Sequence, residues 1–164
     1  WECLEKFVFI STDKAVQSTS IMGATKRVGE IITRNQGERF VVVRFGNVLG
    51  SRGSVIPIWQ KQIEKGEPIK VTSSEMTRYM MSIPEAVGLV IHAAQQGKGG
   101  EIFVLDMGKK INVMDLATRI ALEAKHTGGI QIVGVRPGEQ LTERLMTEEE
   151  EKLAVKEGKF YVIR

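Results

Sequence analysis

The sequence predicts an α/β fold built on a parallel sheet, and three observations predict it. Phe7-Val8-Phe9-Ile10 is an apolar run with the length and content of a buried parallel strand, and it ends in polar Ser11-Thr12-Asp13-Lys14. From Gly23 to about Asn35 the apolar residues Ala24, Val28, Ile31 and Ile32 recur at helical spacing. A second buried run, Phe40-Val41-Val42-Val43-Arg44-Phe45, then completes a strand, helix, strand order that suggests a right-handed parallel crossover. Ligands of open parallel sheets bind at the carboxyl ends of the strands, which makes the polar residues after Ile10 the first place to look for chemistry.

The remaining elements follow in order. Gly46 to Gly53 reads as a glycine-punctuated loop, Ser54 to Lys65 as a helix with Gly66 as its cap, and Pro68 to Thr72 as a short strand. Tyr79 to Ile83 is extended, and Pro84 with Glu85 opens a helix that carries Val87, Val90, Ile91 and Ala94 until Gly97. Ile102 to Asp106 is a third core-type strand, Asn112 caps a helix from Val113 to Lys125, and Ile130 to Val133 is the last strand. The run Glu148-Glu149-Glu150-Glu151 reads as a solvated helix start, favoured by the positive end of the macrodipole, with no function assigned to it.

Composition narrows the classes. With 164 residues, 42% hydrophobic and 26% charged, the chain has a core and is ordinary for a globular domain. A net charge of +3 from well-mixed residues does not imply nucleic acid as a partner. No stretch approaches the roughly 20 apolar residues that cross a bilayer, and the start lacks a signal-peptide pattern, so a cytoplasmic location is expected. Cys3 has no partner cysteine for an internal disulfide, and His92 and His126 stand outside any metal-ligand spacing, so no metal is expected.

Around the first strand-to-helix junction stand a hydroxyl, a carboxylate and two ammonium groups: Thr12, Asp13, Lys14 and Lys26. Met22 and Lys26 lie one helical turn apart on a shared face. Taken singly, each residue has a plain reading. Thr12 and Asp13 suit a turn or cap, the two lysines suit a surface, and Met22 suits core packing. Only their ordered combination carries weight.

The strings Ser11-Thr12-Asp13-Lys14-Ala15-Val16, Met22-Gly23-Ala24-Thr25-Lys26-Arg27, Thr77 to Val87 and Arg136-Pro137-Gly138-Glu139-Gln140-Leu141 resemble the UDP-N-acetylglucosamine 4,6-dehydratases of bacterial polysaccharide biosynthesis, within the extended short-chain dehydrogenase/reductase superfamily. In that superfamily a Ser or Thr after the strand works with a Tyr-x-x-x-Lys on the next helix. Met22 holds the tyrosine position here, as it does in several members of the family. The resemblance implies the carboxyl-terminal part of a Rossmann-like parallel sheet with a small α/β substrate lobe, the first strands of the sheet missing. Residues 1–50 and 85–106 would end the nucleotide-binding sheet, and 51–84 with 107–164 would form the sugar-nucleotide lobe.

The same resemblance implies NAD or NADP as cofactor and a UDP-sugar as substrate. Thr12 would bind the C4 oxygen, Asp13 would act as general acid at the C6 hydroxyl, and Lys14 would act as base at C5. A lysine acts so only where burial beside other cations strips its extra proton. Lys26 would bind the nicotinamide ribose and favour the oxyanion at C4. A thioether cannot take the C4 proton, which leaves Asp13, Thr12 through a water, or Lys14 as acceptor. Asn47, Arg78, Arg136 and Glu139 would contact the sugar nucleotide, with Val55, Ile56 and Pro57 lining the base. Because the glycine-rich pyrophosphate loop would lie ahead of residue 1, this chain alone is expected to be inactive, and the full-length parent to be a homo-oligomer through the helix at Gly23–Asn35. A C5-inverting dehydratase, a C4-epimerase and a non-catalytic nucleotide-sugar-binding fragment are the alternatives.

Overall fold

In chain order the elements begin with β1 (Phe7–Ile10), a 3-10 turn (Asp13–Ala15), α1 (Ile21–Arg34), β2 (Phe40–Arg44), β3 (Asn47–Val48) and α2 (Val55–Glu64). Next come β4 (Ile69–Val71), β5 (Thr77–Arg78), β6 (Met80–Met81), α3 (Ile83–Gln96), β7 (Ile102–Leu105) and β8 (Ile111–Asn112). The chain ends with α4 (Val113–Glu123), β9 (Ile130–Ile132), α5 (Glu148–Leu153), β10 (Val155–Glu157) and β11 (Phe160–Ile163). This computed structural model describes residues 3–164. They divide into two units, one holding the chain up to Gly46 with Pro84–Met107 and Arg144–Arg164, the other Asn47–Ile83 and Gly108–Glu143.

The first unit is organised by a sheet in the order β1-β2-β7-β11-β10. β1 pairs in parallel with β2, Phe7 opposite Phe40 and Ile10 opposite Val43, and β2 pairs in parallel with β7. Val41, Val42 and Val43 are fully buried, as expected of a central strand covered on both faces. The helix α1 starts at Ser20, whose hydroxyl accepts the Gly23 N–H. Its Gly23 and Gly29 allow close approach: a Cβ on Gly23 would collide with the Lys14 carbonyl oxygen, and one on Gly29 with the Phe9 ring. The helix therefore lies tight against β1 and the turn that follows it.

The sequence expectation gave 107–164 wholly to the smaller lobe, but residues 144–164 belong to the first unit. The physical reason is β11, which pairs antiparallel with β7, Phe160 opposite Leu105 and Ile163 opposite Ile102, while β10 folds back on β11. Glu157 faces Phe160 across the two residues Gly158 and Lys159, and Gly158 takes φ 62. A glycine opening a two-residue loop is a local hairpin signal.

The second unit holds three two-stranded pairs, β3 with β6, β4 with β9 and β5 with β8. Its core gathers Trp59, Ile69, Val71, Met76, Val113 and Ala117. Trp59 is 1% exposed and gives its indole N–H to the Lys70 carbonyl at 3.0 Å, which satisfies the polar end of a buried aromatic. α4 begins at Asn112, whose side chain accepts the Met114 and Asp115 N–H groups, as the sequence predicts.

Candidate active site

Thr12, Asp13 and Lys14 form one hydrogen-bonded cluster at the carboxyl end of β1. Thr12 caps the 3-10 turn in extended geometry and its hydroxyl donates to Asp13 Oδ1 at 2.9 Å. Lys14 Nζ donates to the same oxygen at 3.0 Å. Asp13 is 2% exposed, and its second oxygen, Oδ2, is buried with no hydrogen-bond partner among the described residues. A buried carboxylate oxygen left unpaired is costly to fold and marks a place where a further donor belongs.

Lys26 reaches back from α1 to the same strand end, where Nζ donates to the Ile10 carbonyl at 3.0 Å and lies 5.0 Å from the centre of the Phe9 ring. An ammonium has three N–H donors, so the Ile10 bond leaves capacity for a ligand hydroxyl. Met22, one turn earlier, is 47% exposed. The sequence thus placed Thr12, Asp13, Lys14 and Lys26 at one strand end, and the structure brings them there. Gly23, by its close approach to Lys14, sets how near α1 comes to the turn.

Ser11 lies between β1 and Thr12. Its hydroxyl donates to Glu30 Oε1 at 2.5 Å, and Glu30 is fully buried. Glu30 in turn takes Arg44 Nε at 2.9 Å and Nη2 at 2.7 Å, with Arg27 Nη1 at 2.9 Å. Glu150, which the sequence reading placed in a solvated acidic run, is 7% exposed and is held by Arg44 at 2.7 and 3.1 Å and by Arg27 at 3.0 Å. It also closes a capping box with Thr147 at the start of α5. Burial opposes its charge, but the hydrogen bonds and charge of Arg44, the Thr147 N–H and Arg27 outweigh that and lower its pKa to about 2. Burial likewise opposes charge on Arg44, and its bonds to Glu30 and Glu150 overcome this and raise its pKa.

In the second unit a cavity of about 400 Å³ collects most of the residues expected to hold a sugar nucleotide: Asn47, Val55, Arg78, Arg136 and Glu139 all line it. Asn47 Oδ1 is buried without a partner among the described residues, so this cavity too carries an unmet polar group. Ile56 instead lines a groove with Leu116 and Ile120, and Pro57 lines neither, because successive residues of a helix point to different sides. Arg78 is 5% exposed and already engaged: Nη1 donates to the Thr77 and Leu141 carbonyls, Nη2 to the Gln140 carbonyl, and Glu139 and Glu143 lie 3.5 Å away. It braces the 139–143 segment, whereas Arg136 is exposed.

The family described as "Polysaccharide biosynthesis protein" matches residues 2–164. The chain belongs to that family. It is 52% identical over 155 residues to the capsular polysaccharide biosynthesis protein CapD of Staphylococcus aureus, covering 90% of this chain and 26% of that one. To a UDP-N-acetylglucosamine 4,6-dehydratase (inverting) of Campylobacter jejuni it is 33% identical, covering 98% of this chain and 49% of the relative. Among solved structures, Pen from Bacillus thuringiensis matches with a TM-score of 0.90 and 38% identity over 97% of this chain and 52% of that one. A dTDP-glucose 4,6-dehydratase from Bacillus anthracis in complex with NAD shares the Rossmann-like fold with a TM-score of 0.70 at 14% identity, covering 81% of this chain and 51% of that one. The chain thus spans between a quarter and about half of the length of these relatives. No helix among the described residues is long and apolar enough to cross a membrane.

Proposed function

We propose that this polysaccharide biosynthesis protein is the proton-transfer and sugar-nucleotide-binding part of an NAD-dependent (or NADP-dependent) 4,6-dehydratase. Its substrate is UDP-N-acetylglucosamine and its product a 4-keto-6-deoxy sugar for surface polysaccharide or glycan synthesis. The observation that carries the reading is Asp13, a buried carboxylate that meets Thr12 and Lys14 on one oxygen and presents the other without a partner among the described residues.

The ion pair at 3.0 Å explains how one turn supplies both an acid and a base. As Asp13 carboxylate and Lys14 ammonium, the two are mismatched to the reaction. Moving one proton from Lys14 Nζ to Asp13 gives a neutral amine and a carboxylic acid with no change in net charge. Excluding water when a sugar binds favours that neutral pair, since burial disfavours both charged forms. Lys14 then takes the C5 proton, and Asp13 gives its proton to the departing C6 hydroxyl as water leaves.

NAD, when bound, supplies reversible hydride transfer with the sugar. Its fit here rests on Lys26, whose remaining N–H donors suit a ribose hydroxyl and whose charge favours the oxyanion at C4. Thr12 holds the C4 oxygen. Met22 takes no proton there; with Asp13 protonated for C6 and Lys14 held as the base for C5, a water on Thr12 receives it. In the second unit, Arg136 grips the pyrophosphate, Glu139 a ribose hydroxyl and Asn47 the substrate, with Val55 against the base.

The test is incubation of the full-length protein with UDP-N-acetylglucosamine and NAD, with the product read by NMR. A 4-keto-6-deoxy sugar with C5 retained supports the proposal, retention being what Met22 in the tyrosine position implies by family resemblance. Binding without turnover overturns it in favour of a non-catalytic nucleotide-sugar-binding role. A second reading, C4 epimerisation, is favoured by relatives described as UDP-glucose 4-epimerase, such as that of Rickettsia canadensis at 36% identity over 166 residues. Recovery of the C4 epimer would select it.

A further inference from the structure

We infer that Ser11, which no step above uses, is a positioning residue for the Thr12-Asp13-Lys14 turn, acting through its bond to Glu30; the inference rests on the dehydratase reading. Ser11 is 3% exposed and is fixed at two points. Its N–H donates to the Val43 carbonyl at 2.8 Å, and its hydroxyl to Glu30 at 2.5 Å. Two residues on, the Asp13 N–H donates to the Phe45 carbonyl at 3.1 Å. Thr12 sits between these anchors in extended backbone, φ −149 and ψ 156. Successive side chains of an extended segment point to opposite faces. Tying the Ser11 hydroxyl to α1 therefore turns the Thr12 hydroxyl to the other face, where it meets Asp13 at 2.9 Å.

The anchor is rigid. Glu30 is clamped by Nε and Nη2 of Arg44 and by Nη1 of Arg27, and the Ser11 hydroxyl adds a charge-assisted bond of 2.5 Å, at the lower end of the usual range for a hydroxyl on a carboxylate. A hydroxyl held by such an acceptor transmits the position of α1 and β2 to the residue beside Thr12. Without it, the strand end keeps its backbone bonds but loses the restraint that sets which way Thr12 and Asp13 face.

The test compares Ser11→Ala and Ser11→Thr in the full-length protein with UDP-N-acetylglucosamine and NAD. Misplacing reacting groups by about 1 Å costs on the order of 100-fold, so Ser11→Ala should lower kcat by roughly 10- to 100-fold while KM stays within about twofold. Ser11→Thr, which keeps the hydroxyl, should recover kcat to within about threefold of the unsubstituted protein. An unchanged kcat in Ser11→Ala, a KM that rises in its place, or a threonine variant as slow as the alanine one overturns the inference. If the unsubstituted protein does not turn the sugar over, the dehydratase reading fails separately. The amide resonances of Thr12, Asp13 and Lys14 then decide: displacement in Ser11→Ala with return in Ser11→Thr supports positioning, and resonances unmoved by Ser11→Ala overturn it.

Discussion

Arg44 and Glu30 meet inside the first unit through two parallel hydrogen bonds of 2.9 and 2.7 Å, both side chains fully shielded from solvent. The planar guanidinium matches the carboxylate fork, which lysine could not do. The second edge of Arg44 meets Glu150 in the same manner, and Arg27 bridges the two carboxylates. Two arginines and two glutamates thus balance in charge, and the bonds tie α1, β2 and α5 together. Such a cluster contributes little net stability when whole, because its desolvation offsets its attraction. Losing one member exposes the remaining charges to the full penalty.

Glu150→Ala is therefore expected to lower unfolding stability by about 3–5 kcal/mol, well beyond an ordinary surface substitution. Glu149→Ala, one residue earlier and exposed, should change it by less than about 0.5 kcal/mol. Urea denaturation of both variants checks the contrast, and equal midpoints would mean that the buried bonds carry no such weight.

Acid should release the same lock. Glu150 ionises at about 2 when folded against an ordinary 4.5, so between those values the unfolded chain binds more protons than the folded one and stability rises with pH. The contribution is fully present above about pH 4.5 and is lost as pH falls through about 2. A shift of this size is worth on the order of 3 kcal/mol. Urea midpoints measured from pH 5 down to pH 2 should fall more steeply for the unsubstituted protein than for Glu150→Gln, which has no proton to take up. Parallel profiles would remove Glu150 as the source.

The parts of the structure that local patterns specify were legible in the chain. β1, β2 and the Asn112 cap follow from runs and cap residues a few positions long. The Thr12-Asp13-Lys14 cluster could be read for the same reason, since its members are neighbours. Glu150 could not: its partners Arg44 and Arg27 are 106 and 123 residues away, and in the sequence it is one of four identical acids. Only the helical turn of α5 separates it from Glu148, Glu149 and Glu151, which remain exposed. The bracing role of Arg78 was illegible likewise, because its carbonyl partners at Gln140 and Leu141 carry no mark in their side chains.

For the proposed chemistry, Asp13→Ala and Lys14→Ala in the full-length protein should each abolish dehydration while a UDP-sugar still binds, since the nucleotide contacts proposed for Arg136 and Asn47 lie in the other unit. The loss expected for a general acid or base is about 100- to 10000-fold. Solvent deuterium appearing at C5 at the unsubstituted rate in Lys14→Ala would rule that residue out as the base.

Gly23 and Gly88 both lie within helices, and the same substitution should act on them with opposite sign. Replacing a helical glycine by alanine ordinarily stabilises by about 1 kcal/mol, because glycine loses the more backbone freedom on folding. At Gly88 on α3 a Cβ meets nothing within 4 Å, so Gly88→Ala should show that gain. At Gly23 the Cβ would collide with the Lys14 carbonyl, a backbone atom of the 3-10 turn that no rotamer change can move aside. Overpacking of this kind costs roughly 1–3 kcal/mol, so Gly23→Ala should come out neutral to destabilising despite its better propensity. It should also slow the proposed dehydration by the full-length protein, because α1 can relieve the contact only by moving Met22 and Lys26 away from Asp13 and Lys14. Thermal unfolding of the two variants side by side measures the difference in sign, and a Gly23→Ala protein as stabilised as Gly88→Ala would show that α1 does not press on the turn.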